Sequence, residues 1–153
     1  MQRLTVLLIS SFLMACSTSV SLFPISGPYA QAKQIQPIIA KADGIMGNSG
    51  KISLTLPSGE ACNGMWSSVA PTSASANVGM GSIALSSNMA NAWGTAYGTS
   101  FSIGNSATVN RGEAMLICDK GISIQIEFFT GSGTANGYGV AKDSSGNIYK
   151  VLM

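Results

Sequence analysis

Ile122-Ser123-Ile124-Gln125-Ile126-Glu127-Phe128-Phe129 is the stretch that decides the fold. Ile122, Ile124, Ile126 and Phe128 fall on one side of an extended chain, and Ser123, Gln125, Glu127 and Phe129 on the other. A period of two is the signature of a strand with one buried face. Working outward, Lys120-Gly121 is a turn, and Ala114 to Asp119 before it is an apolar strand carrying Cys118. Downstream, 131–137 is a glycine-rich loop and Tyr138 to Lys142 a strand. Asp143-Ser144-Ser145-Gly146-Asn147 is a turn cluster, and Ile148 to Met153 a last strand. Strands joined by short Gly, Ser and Asn turns read as an antiparallel meander.

The same pattern recurs upstream. Lys51 to Leu56 puts Ile52, Leu54 and Leu56 on one face, Pro57-Ser58-Gly59 turns, and Glu60 to Trp66 returns with Cys62. Gly64 in that return predicts a bulge or a close backbone approach. Residues 47–153 are therefore expected to form one mostly β domain, a small antiparallel β-barrel or sandwich. The interval Ala61 to Asn110 carries no charge. Within it, Met80, Ile83 and Leu85 precede Met89, Trp93 and Tyr97, which recur at helical spacing, while Gly94 and Gly98 oppose a long helix. Short strands or one short helix packed on the domain are expected there. Trp66 and Phe128 read as core; Trp66, Trp93, Tyr97 and Phe101 offer the alternative of an exposed binding surface.

Composition narrows the function. At 153 residues one domain is expected. A net charge of +2 does not supply the dense basic face that nucleic acid requires. The chain has no histidine, which removes Ser-His and Cys-His catalysis and the commonest zinc ligand.

The amino terminus predicts export. Arg3 and the terminal amine precede an apolar run from Leu4 to Met14, followed by Leu13-Met14-Ala15-Cys16. This is a signal peptide in outline, and the run is too short for a membrane span. Leu13-Met14-Ala15-Cys16 resembles the lipobox of bacterial lipoproteins. The resemblance implies a diacylglyceryl group on the Cys16 thiol, cleavage after residue 15 and acylation of the new amine, palmitate being the usual chain. Ser17 after it suggests transport to the outer membrane, with the domain in the periplasm or at the surface. One acyl chain holds a protein only reversibly, whereas several anchor it stably. Residues 16–46, with Pro24, Gly27, Pro28 and Pro37, read as a flexible lipidated tether. The alternative is cleavage at Ala30-Gln31-Ala32, before Lys33, giving a soluble secreted protein.

With Cys16 assigned, Cys62 and Cys118 remain. In an oxidising compartment a pair is expected to be a disulfide. Closing a loop of about 56 residues would contribute roughly 4 kcal/mol.

Candidate chemistry is sparse. Gly131, Gly133, Asn136 and Tyr138 lie in a glycine-rich stretch that could cradle an anion or sugar, or bend the chain between strands. The latter is favoured, since no Lys-Ser/Thr pair or helix pattern follows. Asp43, Glu60, Glu113, Asp119, Glu127 and Asp143 sit near turns or on polar strand faces, where solvated charge is expected. No spacing pairs two of them as a glycosidase requires. No metal site or cofactor is indicated. Ser145-Gly146-Asn147-Ile148-Tyr149 is similar to the Ser-Gly-x-x-Tyr motif of periplasmic lysozyme inhibitors, some of which are lipoproteins on small β-barrels. That resemblance implies that the Ser145 loop enters a lysozyme cleft, with Ser145 and Tyr149 as the matching residues. The expected function is non-enzymatic: an envelope lipoprotein with a binding or structural domain, its partners the membrane and a protein or glycan of the envelope.

Overall fold

The computed structural model describes residues 17–44, 47–69, 89–98, 109–131 and 133–153. Eight strands follow in order: β1 (Ser17–Ser26), β2 (Ile38–Asp43), β3 (Ser49–Thr55), β4 (Ala61–Val69), β5 (Val109–Cys118), β6 (Ser123–Gly131), β7 (Gly137–Asp143) and β8 (Ile148–Leu152). Each pairs antiparallel with the next, and β1 pairs with β8, so the sheet closes into an up-and-down barrel. Closure removes every sheet edge among these strands.

The alternation seen in the sequence sets which side chains face inward. Leu22, Ala40, Leu54, Leu116, Ile124, Ile126 and Val151 are buried in one interior cluster. Each large aliphatic side chain buried there contributes about 1.5–3 kcal/mol. Gly64 answers its sequence expectation as a close approach: it faces Leu116 in unbroken register, and a Cβ there would strike the backbone of Met115 and Leu116.

The tether expected over 16–46 is not what the described residues show. Ser17–Ser26 and Ile38–Asp43 are barrel strands, so the folded domain includes these residues rather than starting at 47. Val20 and Leu22 alternate with Ser19, Ser21 and Phe23, and Ile38, Ala40 and Ala42 with Ile39, Lys41 and Asp43, the inner set buried in each case. Pro24 is accommodated where the β1–β8 register shifts between Pro24 and Ser26. Pro28 opens a single 3-10 turn, Pro28–Gln31, that crosses one end of the barrel.

One short helix, α1 (Ala90–Tyr97), lies between β4 and β5. Met89, Ala92 and Trp93 pack outside the barrel against Phe129, Val140 and Ile148. Cys16, Met80, Ile83, Leu85 and Phe101 lie outside the described residues.

Candidate functional site

The two ends of the barrel differ. β1, β3, β5 and β7 start at one end, here the mouth, and finish at the other, the closed end.

At the closed end Cys62 and Cys118 stand directly opposite each other on β4 and β5 and form the expected disulfide. Beside it the buried Glu60 accepts the Lys120 backbone N–H, tying the β3–β4 turn to the β5–β6 turn. At the same end Asp143, on β7, is also buried and accepts four hydrogen bonds. Oδ1 takes the backbone N–H groups of Ser145 and Asn147, each at 2.9 Å. Oδ2 takes Asn147 Nδ2 at 2.8 Å and the Tyr149 hydroxyl at 2.7 Å. Asn147 Oδ1 in turn accepts the Tyr29 N–H at 2.8 Å, which pins the 3-10 turn over the end. Burial, and then the hydrogen bond to the Asp143 carboxylate, push the Tyr149 hydroxyl well above the usual tyrosine range.

At the mouth the walls are apolar. Val20, Ala42, Trp66, Ala114, Phe128 and Val151 line a cavity of about 60 Å³ that no polar atom of the described residues faces. Three features shape it. Ala42 and Ala114 are small inward residues that leave space. Phe128 leans over Gly112, where a Cβ would run into its ring. Trp66 meets Phe128 edge to face at 6.4 Å between centroids and donates its indole N–H to the Asp43 carbonyl at 2.8 Å. The one polar atom of that indole is therefore satisfied away from the cavity.

On the outer wall a third group holds α1. Trp93 Nε1 donates to the buried Glu127 at 2.7 Å. Glu127 faces Glu113 across the β5–β6 pair, a repulsive placement, and Arg111 bridges both carboxylates. Phe129, Tyr138, Trp93 and Tyr97 stack around it. The Tyr97 hydroxyl donates to the Gly139 carbonyl, and burial, with Tyr138 nearby, pushes it up to about 12.

The residues singled out in the sequence are thus separated. Gly131, Gly133 and Asn136 form a bent connection at the mouth, with Thr134 N–H donating to the Gly131 carbonyl and Gly131 N–H to the Asn136 carbonyl. Tyr138 belongs to the outer aromatic group. Ser145 is exposed on the closed-end turn, and Tyr149 is buried behind it.

The expectation that all six acids are solvated is corrected. Asp43, Glu113 and Asp119 are exposed, but Glu60, Glu127 and Asp143 are buried, because each finds the donors or cation that burial demands. An acid followed by Ser, Gly and Asn is an Asx-turn signature, and it is the local signal that marks Asp143. Phe129 on the polar face of β6 is the signal that something covers that wall. Among the described residues no three of His, Cys, Asp and Glu gather as metal ligands.

No family model, curated protein or solved structure matches this chain.

Proposed function

We propose that the chain is a lipid-anchored envelope protein whose barrel is a non-enzymatic binding module. One observation supports the anchoring: Ser17–Ser26, which lies upstream of the alternative cleavage site before Lys33, is a barrel strand. Cleavage before Cys16 keeps every strand. Cleavage before Lys33 would delete β1, which pairs with both β2 and β8 and buries Val20 and Leu22. The barrel would open and expose two edges. Of the two processing sites the sequence offers, the one before Cys16 leaves the barrel strands intact, which supports the lipidated reading over cleavage before Lys33. The test is the intact mass of the protein from a membrane fraction. A chain starting at triacylated Cys16 is expected; an unlipidated chain starting at Lys33 would overturn the reading.

An anchor at position 16 holds the mouth end toward the bilayer and leaves the closed end to meet a partner. The buried acids favour binding over catalysis: Asp143 already accepts four hydrogen bonds, and Glu127 is held by Arg111 and Trp93.

A second reading, lysozyme inhibition, is favoured by the turn that carries Ser145. Its side chain is exposed while its backbone is locked by Asp143, and Tyr149 anchors the motif from inside. A preformed turn binds with little ordering cost. Ser145→Ala is expected to weaken inhibition of a lysozyme at least tenfold with an unchanged melting temperature. Absence of inhibition by the unaltered protein would end this reading.

A further inference from the structure

We propose that the mouth cavity is the seat of an acyl chain carried by Cys16 itself, so that the anchor is partly folded back into the barrel. This rests on the anchoring proposed above. The cavity is apolar throughout, and at about 60 Å³ it exceeds what one water needs. A water there would lack the two or more polar partners that hold a buried water, so the site suits hydrocarbon. Its size fits a few methylene groups, not a headgroup. Two aromatic rings, Trp66 and Phe128, and the flexible thioether of Met153 border it, and the indole N–H is turned to the Asp43 carbonyl.

The choice of occupant comes from chain continuity. Thr18 lines the cavity, and it is two residues after Cys16 along the chain. There is no linker: Ser17 is already in β1. A group on residue 16 is thus held beside the opening at high effective concentration, an advantage that no free lipid has. A methylene moved from the bilayer to the cavity exchanges one apolar surrounding for another, so the transfer is nearly neutral and attachment decides it.

The test uses the whole protein, expressed with its signal in a bacterium grown on a palmitate analogue bearing a diazirine. After illumination, trypsin separates the peptide that contains Cys16 (ending at Lys33) from those that contain Ala114 (ending at Lys120) and Phe128 (ending at Lys142). The expected product joins the Cys16 peptide, through its own acyl chain, to one of the other two, with no additional lipid mass. Ala114→Leu fills the cavity and should reduce that product at least tenfold. Ala135→Leu, in the loop that borders the mouth, should do the same if the first variant fails to fold. Adducts at Ala114 or Phe128 that carry the mass of a phospholipid would give the site to a neighbouring lipid and overturn the proposal. So would an acylated Cys16 peptide without any mouth crosslink. A Cys16 peptide with no acyl group would instead overturn the anchoring itself.

Discussion

The closed end and the mouth are built from the same eight strands and stabilised by different means. At the closed end a disulfide, Glu60 and the Asp143–Asn147–Tyr149 group leave little freedom. Each of these buried polar groups has a partner, and removing one leaves others stranded. At the mouth the wall is hydrocarbon with space left over, held by Trp66, Phe128 and small neighbours. Polar networks demand specific partners, whereas apolar contacts tolerate changes of shape. One end is thus specified and the other accommodating.

The contrast can be broken most strongly at the disulfide. Replacing both Cys62 and Cys118 with Ala should cost about 4 kcal/mol in chemical denaturation. A loss below about 1 kcal/mol would show that the polar group alone holds that end. Asp143→Ala comes next, at about 3 kcal/mol, because it strands the Tyr149 hydroxyl, the Asn147 amide and two turn N–H groups. Tyr149→Phe, which leaves the carboxylate three donors, should cost less. At the mouth, Ala114→Val should gain or lose no more than about 1 kcal/mol, since it adds carbon to unfilled space. A loss as large as that of Asp143→Ala would erase the distinction between the ends.

Alkaline titration sharpens the comparison on the outer wall. A tyrosine in the unfolded chain ionises at about pH 10, while Tyr97 in the fold holds its proton to about 12. Between these values the unfolded chain has lost the proton and the folded one has not, so stability falls as pH rises through that window. Tyr97→Phe should make the fall shallower, measured as denaturation midpoint against pH. Tyr149 acts in the same direction, so a slope remains in that variant. An unchanged slope would show that Tyr97 does not contribute. The smallest expected effect is Ser145→Ala, within about 0.5 kcal/mol, because the side chain is exposed and Asp143 binds its backbone N–H.

Several elements of the fold are legible in the sequence. Ile124, Ile126 and Phe128 face inward as their alternation requires, and Cys62 pairs with Cys118. Met89, Trp93 and Tyr97 lie on one short helical segment against the domain, as their spacing allows. β1 and β2 are not legible in the same way. Pro24 and Pro28 read as breakers, because nothing local says that a proline sits at a register shift or that a 3-10 turn can cap a barrel. The alternation of Val20 and Leu22 with serines is the signal that the sequence does carry, and the prolines outweigh it.

Local sequence by itself determined the strand grammar and the turns, because side-chain period and turn chemistry depend on neighbours along the chain. The tertiary structure alone decided that the sheet closes through β1 and β8, that Glu60, Glu127 and Asp143 are buried, and that Thr18 lines the mouth cavity. Those facts depend on which residues meet in space: Thr18 reaches the mouth because β1 is a staff of the barrel, and an acid can be buried only where donors or a cation satisfy it.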